Sequence, residues 1–217
     1  TLRNAVRGFT PINYVYRVTE PEHYAGNFES GVGVLHNSVL SHIYSIAYQA
    51  GITPELFQRL VIVSSVLLFA FALYCFSKAM LKNAPTEVHL LVVLYGLATE
   101  ILNHNLARFN TFAGLHNGQM YAPAAIGAVL ALTWVFRRGM LLCGLFVGLT
   151  FCFHATLGIF AGLICAAVTI AEPERLKHRN TWIGGAIAIA FAAIWYALFL
   201  RGAVFNTIPL AEDTWVA

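Results

Sequence analysis

An uncharged run of 33 residues, Gly139 to Ala171, constrains this chain more than any other feature. As one straight helix it would be about 50 Å long, whereas the hydrocarbon core of a bilayer is about 30 Å thick. Tilt alone does not absorb so large an excess. His154 stands near the centre of the run, within the sequence LTFCFHATLGIFAG.

We therefore predict that the run folds back as a short helical hairpin. Its two helices would cover about 139–153 and 156–171 and meet at the His154 turn. Thr156 is predicted to cap the second helix, and Gly158 to relax the turn between the two.

The composition indicates a polytopic membrane protein. Hydrophobic residues make up 59% of the chain and charged residues 11%, against about 25% charged residues in soluble domains. With the hairpin, the predicted fold is an all-α transmembrane bundle of about six spans. The other four spans are Phe57–Met80, Glu87–Leu102, Met120–Phe136 and Trp182–Leu200. A net charge of +3 without a Lys/Arg-rich run argues against a nucleic-acid partner.

The positions of the basic residues give the bundle two distinct sides. In the hairpin topology one side receives seven of them: Lys78, Lys82, Arg137, Arg138, Arg175, Lys177 and Arg179. Basic residues in short loops mark the cytoplasmic side. A single crossing would instead place Arg175 opposite Arg138, which is a poorer pattern.

The predicted organisation has three parts. Residues 1–56 form a non-cytoplasmic arm, 57–200 the transmembrane bundle, and 201–217 a non-cytoplasmic tail. The arm contains an amphipathic helix that lies on the membrane surface or packs against the bundle. Its apolar positions recur with helical spacing: Leu35, Val39, Leu40, Ile43 and Ile46. The chain opens on TLRNAVRGFT, without an initiator Met or a signal-like stretch, so we expect a fragment of a longer protein.

Two histidines have both a structural and a functional interpretation. His154 either bonds to a neighbouring helix and holds the hairpin, or faces an outer cavity as a hydrogen-bond donor or general acid/base. His104 lies four residues from both Glu100 and Arg108. The three form either a solvated helical ladder or a strip on which Arg108 binds phosphate while Glu100 orients His104.

Two polar segments of the outer face also have alternative interpretations. GLHNGQMY, with His116, is either a tight re-entry loop or an anion site built from backbone N–H groups. Glu20, Glu22 and His23 form a solvated turn, or supply a general base or ligands for a divalent metal.

The layout resembles the GT-C class of integral-membrane glycosyltransferases and a related group of uncharacterised bacterial multi-spanning proteins. The resemblance is carried by VTEPEHYAGNFESGVGVLHNSVLSHIYSIAYQAG, by the entry ITPELFQRL and by the apolar FHATLGIFAGL, within residues 13–171. Proteins of this class have outer loops with an acidic motif, followed by many spans, several of them short and paired.

The resemblance implies sugar transfer from a lipid-phosphate donor at the outer face of a bacterial cytoplasmic membrane. Glu20 or Glu22 would serve as catalytic base or ligand of a divalent metal ion. The substrate-binding residues would be His104, Arg108, His116 and His154. The alternative is a non-catalytic accessory subunit of a larger membrane complex, so the sequence does not decide whether the chain is an enzyme. Either function makes membrane lipid a partner.

Overall fold

The computed structural model describes residues 39–106 and 121–200, which are almost entirely helical and contain no β-strand. The α-helices in these residues are α1 (Val39–Gln49), α2 (Pro54–Met80), α3 (Thr86–Leu106), α4 (Tyr121–Phe136), α5 (Met140–Phe153), α6 (Ala155–Ala171) and α7 (Arg179–Trp195). A 3₁₀-helix, Pro173–Lys177, links α6 to α7, and a short π-helix, Tyr196–Leu200, follows α7. The predicted all-α fold is confirmed for these residues.

Local features of the chain explain where α2 begins and why the turn between α4 and α5 is short. Thr53 is extended, and its Oγ1 accepts a hydrogen bond from the backbone N–H of Leu56 at 3.3 Å, while Pro54 is the first helical residue. Arg138, between α4 and α5, has a φ of +59°. This left-handed conformation, uncommon for a residue other than glycine, lets the chain reverse direction within three residues.

The uncharged run folds back on itself as predicted. Only His154 separates α5 from α6, and the two helices pack together. A Cβ added at Gly158 would overlap the main chain of Phe151, and one added at Gly162 would lie 3.4 Å from Val147. A later residue of α6 therefore contacts an earlier residue of α5. The two helices are antiparallel.

Helix α5 is central and packs against α4, α6 and α7. A Cβ added at Gly127, near the start of α4, would overlap Thr150, near the end of α5. A Cβ added at Gly144, in the second turn of α5, would overlap the carbonyl of Gly184, in the second turn of α7. Helix α5 is therefore antiparallel to α4 and parallel to α7.

Helix α2 packs against both α3 and α4. Ser77, in the last turn of α2, lies 3.1 Å from His89, in the first turn of α3, so these two helices are antiparallel. The rings of Phe76 and Phe136, near the ends of α2 and α4, have centroids 6.2 Å apart, so α2 and α4 run parallel. The six helices from α2 to α7 therefore alternate in direction along the chain.

This alternation places the links 81–85, 137–139 and 172–178 at one end of the bundle, which we call the basic end. The opposite end is the His154 end. At the basic end, Arg138 and Arg175 both bind Glu172. The structure therefore agrees with the predicted fold-back and contradicts a single straight crossing between these two arginines.

Within residues 39–106 and 121–200, two helices are long and apolar enough to cross a membrane, namely Arg59–Met80 and Arg179–Leu198. In the most apolar 18 residues of each segment only 22% and 17% of the residues are buried, so neither is a core helix of the described residues. Helix α5, with 14 residues, is about 21 Å long, shorter than a hydrocarbon core of about 30 Å. The other four of the predicted six spans stay a prediction.

Large apolar side chains cover the outer faces of several helices. They include Leu60, Val63, Leu67, Leu68 and Phe71 on α2, Leu90, Leu91, Leu94 and Tyr95 on α3, and Ile159, Phe160, Leu163 and Ile164 on α6. Soluble monomers rarely expose contiguous apolar patches of more than a few hundred Å². The outer surface of these helices suits contact with hydrocarbon.

Helix α1 confirms the predicted amphipathic helix from Val39 onward, and one of its faces packs against the bundle. Leu40, Tyr44 and Ala47 are buried, whereas Ile43 and Ile46 are 42% and 67% exposed. The inner face packs against Phe57, Val61 and Phe153. Helix α1 therefore packs against the bundle through one face and leaves Ile43 and Ile46 exposed outside that contact.

Candidate functional site

His154 occupies the point where α5 ends and α6 begins. Its backbone is extended (φ −155°, ψ 102°). Its N–H donates to the carbonyl oxygen of Thr150 at 2.8 Å, and its Nδ1 accepts a hydrogen bond from the backbone N–H of Leu157 at 3.3 Å. One residue thus closes the first helix and caps the second.

This cap fixes the protonation of the ring. A nitrogen that accepts a hydrogen bond must carry a lone pair, so this contact requires the neutral imidazole of His154, with its proton on Nε2. Protonation of Nδ1 would remove the acceptor and release the N–H of Leu157. The turn therefore depends on the neutral form of His154.

The predicted roles of two neighbouring residues need correction. Helix α6 begins at Ala155, so Thr156 lies inside its first turn and His154 is the cap. Gly158 lies within α6, where the missing side chain lets the helix approach the main chain of Phe151. Gly158 thus permits close packing of the hairpin rather than relaxing its turn.

We expect His154→Ala to lower the free energy of unfolding by about 0.5–2 kcal/mol, the usual cost of a lost N-cap. His154→Asn should lose less, because its amide oxygen can accept the same hydrogen bond. Thermal unfolding of the purified protein in mild detergent measures both. Equal losses in the two variants would contradict the capping role.

Aromatic contacts surround the turn because α1 packs beside it. The ring centroids of Tyr44 and Phe57 lie 4.0 Å apart, and His42 meets Trp195 edge-on at 5.9 Å. Burial lowers the pKa of His42, which favours its neutral form at neutral pH. Tyr44 and Trp195 are buried, so these aromatic contacts pack α1 against the bundle at the His154 end.

The structure describes the sequence-predicted site residues only in part. His154 is fully described, and His104 is placed by its backbone in the last turn of α3, at the His154 end. Glu20, Glu22, Arg108 and His116 lie outside the described residues. Their predicted roles stay predictions.

All stretches outside the described residues join the bundle at the His154 end. They come before Val39, between Leu106 and Tyr121, and after Leu200. The two stretches that hold the predicted base and phosphate-binding residues are therefore attached to the same end as the hairpin turn.

Sequence reasoning missed a buried arginine at the basic end. Arg175 is 5% exposed. Its Nε and Nη2 donate to the two carboxylate oxygens of Glu172 at 2.8 and 2.6 Å, and its Nη1 donates to the Val135 carbonyl oxygen. Arg138 donates to the same carboxylate at 3.2 Å. This clasp joins the end of α4 to the link after α6. The feature of the sequence that could have indicated this ion pair is the three-residue spacing of Glu172 and Arg175.

The clasp gives stability a defined pH dependence. The Arg175 guanidinium holds the pKa of Glu172 below its usual range, and Arg138 acts in the same direction. Because the pKa of the Glu172 carboxyl is lower in the folded than in the unfolded state, its charge stabilises the fold at pH values above the unfolded-state pKa. This stabilisation is lost as the pH falls through the folded-state pKa. We expect Glu172→Gln to destabilise at neutral pH and to lessen the loss of stability on acidification. Thermal unfolding across the acidic range measures this, and parallel curves would contradict it.

His89 is a second polar residue that sequence reasoning missed. It is 1% exposed, and its Nδ1 lies 3.1 Å from Oγ of Ser77. Because that hydroxyl donates to the Tyr74 carbonyl oxygen at 2.9 Å, its oxygen accepts from Nδ1–H of His89. The short link between α2 and α3 could have indicated this contact, because it brings the ends of the two helices together. The contact ties α2 to α3.

Among residues 39–106 and 121–200, no group of three or more His, Cys, Asp or Glu side chains is placed to hold a metal ion. Comparisons of the chain with protein-family models, with curated proteins and with solved structures found no match.

Proposed function

We propose that this chain is an integral membrane protein whose helices α2 to α7 cross the bilayer in alternating directions. The basic end faces the cytoplasm, and the His154 end faces outward with the N-terminal arm and C-terminal tail. The observation that carries the proposal is the collection of seven Lys and Arg residues at one end of six alternating apolar helices.

The short helices are compatible with this arrangement. Helices α4, α5 and α6 have 16, 14 and 17 residues, and are therefore about 24, 21 and 26 Å long. A bilayer adapts to short apolar segments by local thinning, and flanking Lys and Arg side chains extend to the headgroups at modest cost.

For the activity, we propose transfer of a sugar from a lipid-phosphate donor at the His154 end, as in GT-C glycosyltransferases. This assignment rests on the sequence resemblance. It is supported by the attachment of both predicted site segments to the end that carries His154 and the aromatic contacts of α1. A bacterial cytoplasmic membrane is the proposed location.

Each residue has a chemical role in this proposal. Glu20 or Glu22 removes the proton of the acceptor hydroxyl as general base, or holds a divalent metal ion. Arg108 offers two parallel N–H groups to phosphate oxygens, while His104 and His116 donate further hydrogen bonds. His154 lines the cleft and keeps the hairpin turn in place.

Transfer assays in vesicles supplied with a labelled polyprenyl-phosphate sugar test the activity. Loss of a general base or of a bidentate phosphate contact should reduce transfer by about 100-fold or more. We expect this reduction for Glu20→Gln or Glu22→Gln, and for Arg108→Ala. Lys177→Ala, at the basic end, is the matched control and should retain transfer. Wild-type rates in all of the first three variants would reject the assignment.

A second candidate function, a non-catalytic subunit of a membrane complex, is favoured by the outer face of α3. Its Leu91, Leu94 and Tyr95 are 63%, 62% and 74% exposed, and the helix packs chiefly against α2. A partner's helix could cover this face. Co-purification of another membrane protein at fixed stoichiometry would support it, whereas a monodisperse monomer with transfer activity would contradict it.

A further inference from the structure

We infer that the basic end binds the phosphate headgroups of anionic phospholipids, at a surface formed by the α4–α5 turn and the link between α6 and α7. This inference rests on the proposed insertion in a membrane. It does not depend on sugar transfer.

The two segments are held next to each other. Arg138 in the α4–α5 turn donates to Glu172 in the link at 3.2 Å, and Arg175 in the link donates to the carbonyl of Val135 in α4. Arg137, Arg138 and Lys177 are exposed on these adjoining segments. Their relative positions are therefore set by the fold.

The charges at this end are unbalanced. Seven Lys and Arg residues face three carboxylates, Glu87, Glu172 and Glu174, within the described residues there. The clasp uses Arg175, which is buried, whereas Arg138 and Lys177 keep 74% and 71% of their side chains exposed although each has an ion-pair partner. The surface keeps a positive charge that attracts anions.

The apolar surface begins next to these charges. Trp182, in the first turns of α7 and close to Arg179, is 68% exposed, and its Nε1 donates to the carbonyl of Leu176 at 2.8 Å. Beside Lys82, Met80 and Leu81 are 48% and 42% exposed. Exposed Trp side chains concentrate at the level of the lipid headgroups.

This proximity defines the occupant. A ligand that satisfies both surfaces carries an anionic phosphate and acyl chains, as an anionic phospholipid does. Free phosphate matches only the charges. Each Lys or Arg near an anionic membrane surface strengthens the association by about fivefold at most, so two or three exposed cations suffice for measurable lipid selectivity.

Spin-labelled lipids test the inference with the full chain reconstituted in phosphatidylcholine vesicles. We expect labelled phosphatidylglycerol to associate with the wild-type protein about fivefold more strongly than labelled phosphatidylcholine, and less so at high salt. Arg137→Gln/Lys177→Gln, which leaves the clasp intact, should lower this preference by about twofold or more. Arg59→Gln removes an exposed cation near the opposite end and should keep it.

Each other outcome overturns a stated part of the inference. If the wild-type protein floats with the vesicles but both lipids associate with it equally, the headgroup site is overturned. Membrane insertion is then still supported. Protein that does not float overturns insertion and the site together. An equal effect of Arg59→Gln assigns the preference to overall charge. If added inorganic phosphate abolishes the lipid preference at constant ionic strength, the ligand is a free anion. Either of these last two results overturns the lipid site.

Discussion

Gly184→Ala should lower the free energy of unfolding by about 1–3 kcal/mol, while Gly185→Ala, one residue further, should leave it unchanged or slightly higher. A Cβ at Gly184 would overlap the carbonyl of Met140, which belongs to the main chain of α5 and cannot rotate away. A Cβ at Gly185 meets nothing within 4 Å, and alanine favours a helix over glycine by about 0.5–1 kcal/mol.

The reciprocal substitution tests the same contact from the other helix. Gly144→Ala should destabilise to a similar extent, because its Cβ would overlap the carbonyl of Gly184. Thermal unfolding in one detergent, with Gly185→Ala as matched control, measures all three variants. If Gly184→Ala and Gly185→Ala lose equal stability, the close approach of α5 and α7 at Gly184 is contradicted.

Arg175→Met should cost about 2–4 kcal/mol, because a buried group that bonds three acceptors is removed. The carbonyl of Val135 loses its donor in a buried position. Methionine fills much of the same volume, so the loss reports on the hydrogen bonds more than on packing.

Lys177→Met is the matched control, two residues away in the same link. Lys177 pairs with Glu174 at 2.7 Å, but both side chains are more than 70% exposed. Exposed pairs contribute about 0–1 kcal/mol. Urea or thermal unfolding of both variants in detergent gives the comparison. An equally small effect of the two substitutions would contradict the clasp.

These paired residues show how far the sequence predicts the molecule. The length of the uncharged run was enough to predict the hairpin, because no straight helix of that length fits a bilayer. The predicted first helix, 139–153, agrees with Met140–Phe153 in the structure. Thr53 and Pro54 are likewise residue types favoured at the cap and the first position of a helix, and α2 begins at Pro54.

Contacts between segments far apart in the chain could not be predicted from the sequence. Arg175 and Lys177 are equivalent as basic loop residues, and only the packing of α4 against the link buries one of them. His154 was expected to interact with a neighbouring helix or a cavity, and its use as a helix cap depends on the extended backbone at that residue. Four of the predicted site residues, Glu20, Glu22, Arg108 and His116, lie outside the described residues, so the catalytic proposal depends on the transfer assay.

The fold-back of the uncharged run determines the side of the membrane on which each link lies, and labelling can measure that side. Arg138→Cys, Lys177→Cys and Gln49→Cys, each in a chain without its native cysteines, would be labelled in sealed vesicles with a membrane-impermeant maleimide. We expect Cys at 138 and at 177 to react from the cytoplasmic side and Cys at 49 to react from the opposite side. Reaction of 138 and 177 from opposite sides would contradict it.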